Sequence, residues 1–188
     1  MQSTFFLREV TANAEKKVSF LMLSPKQIND TMFSLIKEYS LASKAIIIVS
    51  FFTPIIEIKK TFGGKNIYFI DCTQNEEKTD ENTVLTTNPS DLTGIMVAID
   101  SIEKKVAGNK IILFDAINMM EAYNEQKKIG RFMHALSNKI RLNENTLIII
   151  TIKESTEPKT LELFKQFSDK SYDYSSMYIS TIASVETK

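Results

Sequence analysis

Five short stretches of this chain are apolar nearly throughout and rich in Ile and Val: Val18–Leu23, 45–49, 66–70, Lys110–Phe114 and Thr146–Ile152. A strand with one face in water alternates apolar and polar residues, whereas a run without that alternation must be covered on both faces. The stretches therefore predict strands of a mostly parallel sheet that carries helices on each side. Two weaker candidates, 83–86 and 172–174, would add strands at the sheet margins.

The segments between these runs have helical spacing. In 25–39 the residues Ile28, Met32, Leu35 and Ile36 share one face behind a Pro suited to a first turn. A second helix is expected from Asp91 to about Val106, opened by Asn88-Pro89-Ser90 and stopped at Gly108-Asn109. A third spans about 126–141, with Ile129, Phe132, Met133, Leu136 and Ile140 as its stripe, and a fourth covers Pro158–Phe167. Strand and helix alternate, which predicts an α/β fold built as a three-layer α/β/α sandwich. The stretch 72–82, CTQNEEKTDEN, is strongly polar and is expected to be a surface loop that anchors nothing in the core. The chain is expected to be a single domain over 1–188, with its core at about 17–175 and a loosely ordered tail at 176–188.

Composition narrows the functional classes. Lys plus Arg and Asp plus Glu both number 23, so no net field gathers nucleic acid or an acidic membrane around the molecule. One cysteine, Cys72, allows neither an internal disulfide nor a cysteine-based zinc site and fits a reducing cytoplasm. No apolar run approaches the ~20 residues of a membrane helix. The one histidine, His134, has no Asp or Glu at helical spacing to share a metal, and no metal site is expected.

Several fragments in order resemble the RecA superfamily, and more narrowly the archaeal KaiC-like ATPases and their degenerate relatives. Tyr68-Phe69-Ile70-Asp71-Cys72 looks like that family's strand ending, and Asn88-Pro89-Ser90-Asp91-Leu92-Thr93 looks like one of its helix starts. Lys110-Ile111-Ile112-Leu113-Phe114-Asp115-Ala116 looks like its Walker B strand. Tyr123-Asn124, Arg131-Phe132-Met133-His134-Ala135-Leu136 and Asn138-Lys139-Ile140-Arg141 resemble a later helix, so the likeness runs from Val18 to Tyr174. It implies a RecA-like P-loop NTPase fold and a phosphate loop directly after the first strand.

That loop needs glycines, because backbone N–H groups must wrap the phosphates in conformations that side chains block. The equivalent residues, 23–32, contain no glycine; Pro25 removes a donor and Asp30 would repel phosphate. Gly63-Gly64-Lys65 runs from helix to strand, the wrong direction, and is read as a turn. Asp115 stands where the resemblance puts the Mg²⁺ carboxylate, but without a phosphate partner it is expected to be structural, accepting an N–H from the turn that follows it. Glu57 is read as a helix-surface residue, Cys72 as no nucleophile, and no catalytic residue is assigned.

The expectation is thus a noncatalytic, pseudo-ATPase domain without a cofactor, acting through a protein partner, whether itself or a RecA-like ATPase paralogue. The alternative is residual ATP and Mg²⁺ binding through Ser24, Lys26 and Asp115. A phospho-acceptor signalling domain is a distant third, because Asp71 matches it but Ser24-Pro25 supplies no acid pair.

Overall fold

A computed structural model describes residues 2–42, 44–62, 66–73, 82–85 and 88–176. Its strands are β1 (Val18–Leu23), β2 (Ala45–Ser50), β3 (Ile67–Asp71), β4 (Thr83–Leu85), β5 (Lys110–Phe114), β6 (Thr146–Ile152) and β7 (Lys170–Asp173). They form one sheet in the order β4-β3-β2-β5-β6-β1-β7, and every pairing is parallel. The helices are α1 (Gln2–Ala14), α2 (Ile28–Leu41), α3 (Ile55–Phe62), α4 (Leu92–Lys105), α5 (Gln126–Leu142) and α6 (Pro158–Phe167). Among the described residues no helix is long and apolar enough to cross a membrane.

The period of two along each strand splits the core into two layers. Val18, Phe20, Ile47, Val49, Ile112 and Phe114 meet α4, α5 and α6, while Leu21, Leu23, Ile46, Ile48, Leu113 and Ile150 meet α1, α2 and α3. β1, β2, β5 and β6 are buried along their whole length, as strands covered on both faces must be.

Three features depart from the sequence expectation. The core begins well before residue 17, because Phe6, Val10 and Ala14 of α1 are buried against the α2 layer. Residues 25–27 form a 3-10 turn, and α2 starts only at Ile28. Cys72 is fully buried and packs in the α4 layer, so the polar stretch 72–82 does anchor the core at its first residue. Most of that stretch, the Gly63-Gly64-Lys65 turn and the tail from 177 lie outside the described residues.

α4 is capped one step later than the Asn88-Pro89-Ser90 opening suggests: Asp91 is the cap, and its carboxylate accepts the Gly94 N–H at 2.8 Å. Gly108, at φ +75°, turns the chain toward β5.

The chain leaves β1 by α2 on one face, crosses β6 and β5 to reach β2, and moves outward to β3 and β4. It then returns by α4 on the other face to β5 and β6. Neighbouring strands β2 and β5 therefore send their connections, α3 and α5, to opposite faces. In open α/β sheets this is where a crevice opens at the carboxyl ends of the strands and where ligands bind.

Candidate functional site

The crevice between β2 and β5 is filled by the protein itself. Asp115, the residue after β5, is completely buried and points toward the turn that follows β2. Its Oδ1 accepts the Phe51 N–H at 2.5 Å and the Phe52 N–H at 3.3 Å. Oδ2 accepts the Thr53 N–H at 2.8 Å and lies 2.9 Å from the Ser50 hydroxyl, which also reaches the Thr53 carbonyl oxygen at 2.5 Å. Successive N–H groups converging on one carboxylate make a backbone nest, a common anion-binding device. Here the anion is a side chain of the same chain.

Asp115 was expected to cap the turn after its own strand; it reaches sideways to a neighbouring strand's turn instead. Ala116, the next residue, takes a left-handed conformation, φ 39°, at the entry to the 3-10 turn of residues 117–122. Burial pushes the Asp115 pKa above the ordinary carboxylate value, while the hydrogen bonds from Phe51, Thr53 and Ser50 pull it back.

The turn after β1, where the resemblance puts the phosphate loop, is closed in its own way. Ser24 N–H donates to Gln27 Oε1 at 2.7 Å, the Ser24 hydroxyl lies 3.0 Å from the same oxygen, and Gln27 N–H donates to the Ser24 carbonyl at 3.0 Å. Gln27 Nε2 then donates to the Tyr174 carbonyl at 3.1 Å, tying the turn to the end of β7. Of the four backbone nitrogens from Ser24 to Gln27, two are used inside the turn and Pro25 has no hydrogen. An amide oxygen sits where a phosphate oxygen would need donors.

Lys26 is exposed on this turn, and Asp30 is exposed in the first turn of α2. No hydrogen bond or ion pair joins Ser24, Lys26 and Asp115 to one another: Ser24 bonds Gln27, and Asp115 bonds the Ser50–Thr53 segment.

Sequence reasoning did not single out the residues that close the end of β6, the strand between β5 and β1. Asn118 Oδ1 accepts the Ile152 N–H at 3.3 Å, Thr156 Oγ1 donates to the Ile152 carbonyl at 2.6 Å, and the Thr151 and Thr156 hydroxyls are 2.8 Å apart. All three side chains are buried. The signal available was Thr151 and Thr156 at an apolar strand end; Asn118, 34 residues before Ile152, gave none.

The remaining candidates fall elsewhere. Glu57 is exposed on α3, and Asp71 accepts the Thr73 N–H and hydroxyl at 2.8 and 2.7 Å. His134 is exposed on α5, edge-on to Phe167 with ring centroids 5.8 Å apart. Among the described residues no group of three His, Cys, Asp or Glu side chains is placed to hold a metal ion.

No family model matches the sequence, and no curated protein matches it. Among solved structures it resembles a KaiC-like protein from the hyperthermophilic archaeon Pyrococcus horikoshii, with a TM-score of 0.59 at 11% identity. The match covers 85% of this chain and 72% of the other. At that identity the likeness is one of fold, and the fold is RecA/KaiC-like.

Proposed function

We propose, taking the KaiC-like fold as the premise, that this chain is a noncatalytic member of that fold whose work is done through protein contacts. The observation that supports the reading is the buried Asp115, the residue the resemblance aligns with the Mg²⁺ carboxylate, which takes three successive N–H groups of the β2 turn in the crevice between β2 and β5. A carboxylate enclosed in this way has no lone pairs turned to a Mg²⁺ ion and its waters. The Ser24–Gln27 turn argues the same way, since triphosphate binding rests on several backbone N–H donors converging at a helix start. The partner on this reading is another protein, either a second copy of this chain or a RecA-like ATPase.

The test is titration calorimetry of the full chain with ATP and Mg²⁺, checked by thermal shift. Each charge-assisted hydrogen bond missing from the phosphate cradle weakens binding by ~1.5–3 kcal/mol, so the expected result is millimolar affinity or none. A ligand at a hundred times its dissociation constant would stabilise the fold by ~2.7 kcal/mol, so a flat melting curve at high ATP is the second expected result. Micromolar binding that disappears in Lys26→Ala would overturn the reading and establish the alternative, nucleotide held by Ser24, Lys26 and Asp115.

A further inference from the structure

The amino ends of β5 and β6 border a cavity of about 540 Å³, at the edge of the sheet opposite the crevice that Asp115 fills. That volume lies within the range of small-molecule sites, about 300–1,000 Å³. Its walls are the last turns of α4 and α5, Lys110 at the start of β5, and Asn145 just before β6.

Most polar groups on these walls are matched within the protein. Lys139 pairs with Asp100 and with Glu103, whose Oε2 lies 2.5 Å from its ammonium. Glu103 Oε1 accepts the Asn145 amide, and Asn145 Oδ1 accepts the Lys110 backbone N–H at 2.9 Å. Lys104 and Lys139 lie in last helical turns, where the helix dipole favours cations.

Lys110 differs from both. It opens a strand, so no helix end accounts for its charge, and it is only 9% exposed. Its Nζ donates to the Gly108 carbonyl at 2.5 Å, and among the described residues no carboxylate pairs with it. An ammonium has three N–H donors, and burying one without a counter-ion is costly. The lysines that line the cavity, Lys104, Lys110 and Lys139, outnumber its two carboxylates by one.

We infer that this cavity binds a small carboxylate, whose oxygens accept from the N–H groups that Lys110 has left and from Lys104. Charge identifies the ligand. One surplus positive charge matches one carboxylate, whereas a doubly charged phosphate would meet Asp100 and Glu103 on the same walls. The site lies away from the strand ends that bear on nucleotide binding, so it stands or falls separately from the proposed function.

The test follows amide NMR spectra of the full chain while sodium lactate or sodium glutamate, each with a single net negative charge, is added at constant ionic strength. Sodium chloride and sodium phosphate are the comparisons. The expected result is saturable shifts of the Lys110 backbone N–H and the Asn145 side-chain amide with the carboxylates, at concentrations where chloride gives none. Lys110→Met keeps the hydrocarbon stem and removes the ammonium; it should weaken binding at least about tenfold and leave stability in urea equal to the parent's or higher. Lys104→Ala, at an exposed position, should leave the fold intact and also weaken binding. Three outcomes overturn the inference: no saturable shift with either carboxylate, tighter binding of phosphate than of both, or undiminished binding in Lys110→Met. Should Lys110→Met fail to fold, undiminished binding in Lys104→Ala overturns it instead.

Discussion

At the scale of single residues, Asp115 carries the most consequence. Read as a strand-end cap it would contribute one hydrogen bond, worth ~1 kcal/mol. Its two oxygens instead serve the Phe51 and Thr53 N–H groups and the Ser50 hydroxyl inside a buried turn. Asp115→Ala should therefore leave at least two buried donors without partners, for a loss of about 2–5 kcal/mol. Asp115→Asn keeps one acceptor oxygen but turns its NH₂ toward either the Thr53 or the Phe51 N–H, donor against donor, and should cost about 1–3 kcal/mol. Urea unfolding of both variants checks this order. A cost for Asp115→Ala within about 0.5 kcal/mol of the parent, in the range of an ordinary surface change, would show that the turn satisfies its donors without the carboxylate. That Asp115 would accept a backbone N–H at the end of its strand was legible in its sequence context, since the strand before it was plain. Which turn it holds was not, because β2 and β5 lie more than sixty residues apart in the chain and become neighbours only through the sheet order.

At the scale of elements, strands were easier to read than helices. The five apolar runs all became strands, because a run with no polar face has one stable environment here, the middle of a covered sheet. α1 was missed although Phe6, Val10 and Ala14 repeat at four-residue spacing; the stretch has no long apolar run, and its apolar face matters only once the β1 and α2 surfaces exist to receive it.

The ion pairs that join Lys139 of α5 to Asp100 and Glu103 of α4 give a pH prediction. Burial alone would lower the Lys139 pKa, but hydrogen bonds and charge from Asp100 and Glu103 outweigh it and hold the value above the ordinary 10.5. A lysine whose pKa is higher in the folded than in the unfolded state contributes its full stabilisation below the unfolded value, and that contribution fades as pH rises through the folded value. Melting temperatures of the parent and of Lys139→Met should thus differ by a constant amount up to about pH 10 and converge above it. A gap that stays constant into strong alkali would show that the lysine's hydrocarbon stem, and not its charge, joins α4 to α5.

At the scale of the whole molecule, the seven strands among the described residues are all parallel to their sheet neighbours, which makes a fold of distant contacts in which no two of them can form early as a hairpin. Such a sheet is expected to open as a large cooperative unit, with its inner strands giving way only when most of the molecule does. The position of Cys72 lets this be watched directly. It is the chain's one thiol, it is wholly enclosed, and it sits where β3 gives way to the polar stretch. A thiol reagent added to the native protein should react at a rate set by the opening of that strand end, far slower than in urea, and a single modification will report it with no introduced label. If labelling in increasing urea follows the global unfolding free energy, the β3 end belongs to the cooperative core. If it runs ahead of global unfolding, that margin of the sheet breathes by itself, and the molecule has one edge that yields before the rest.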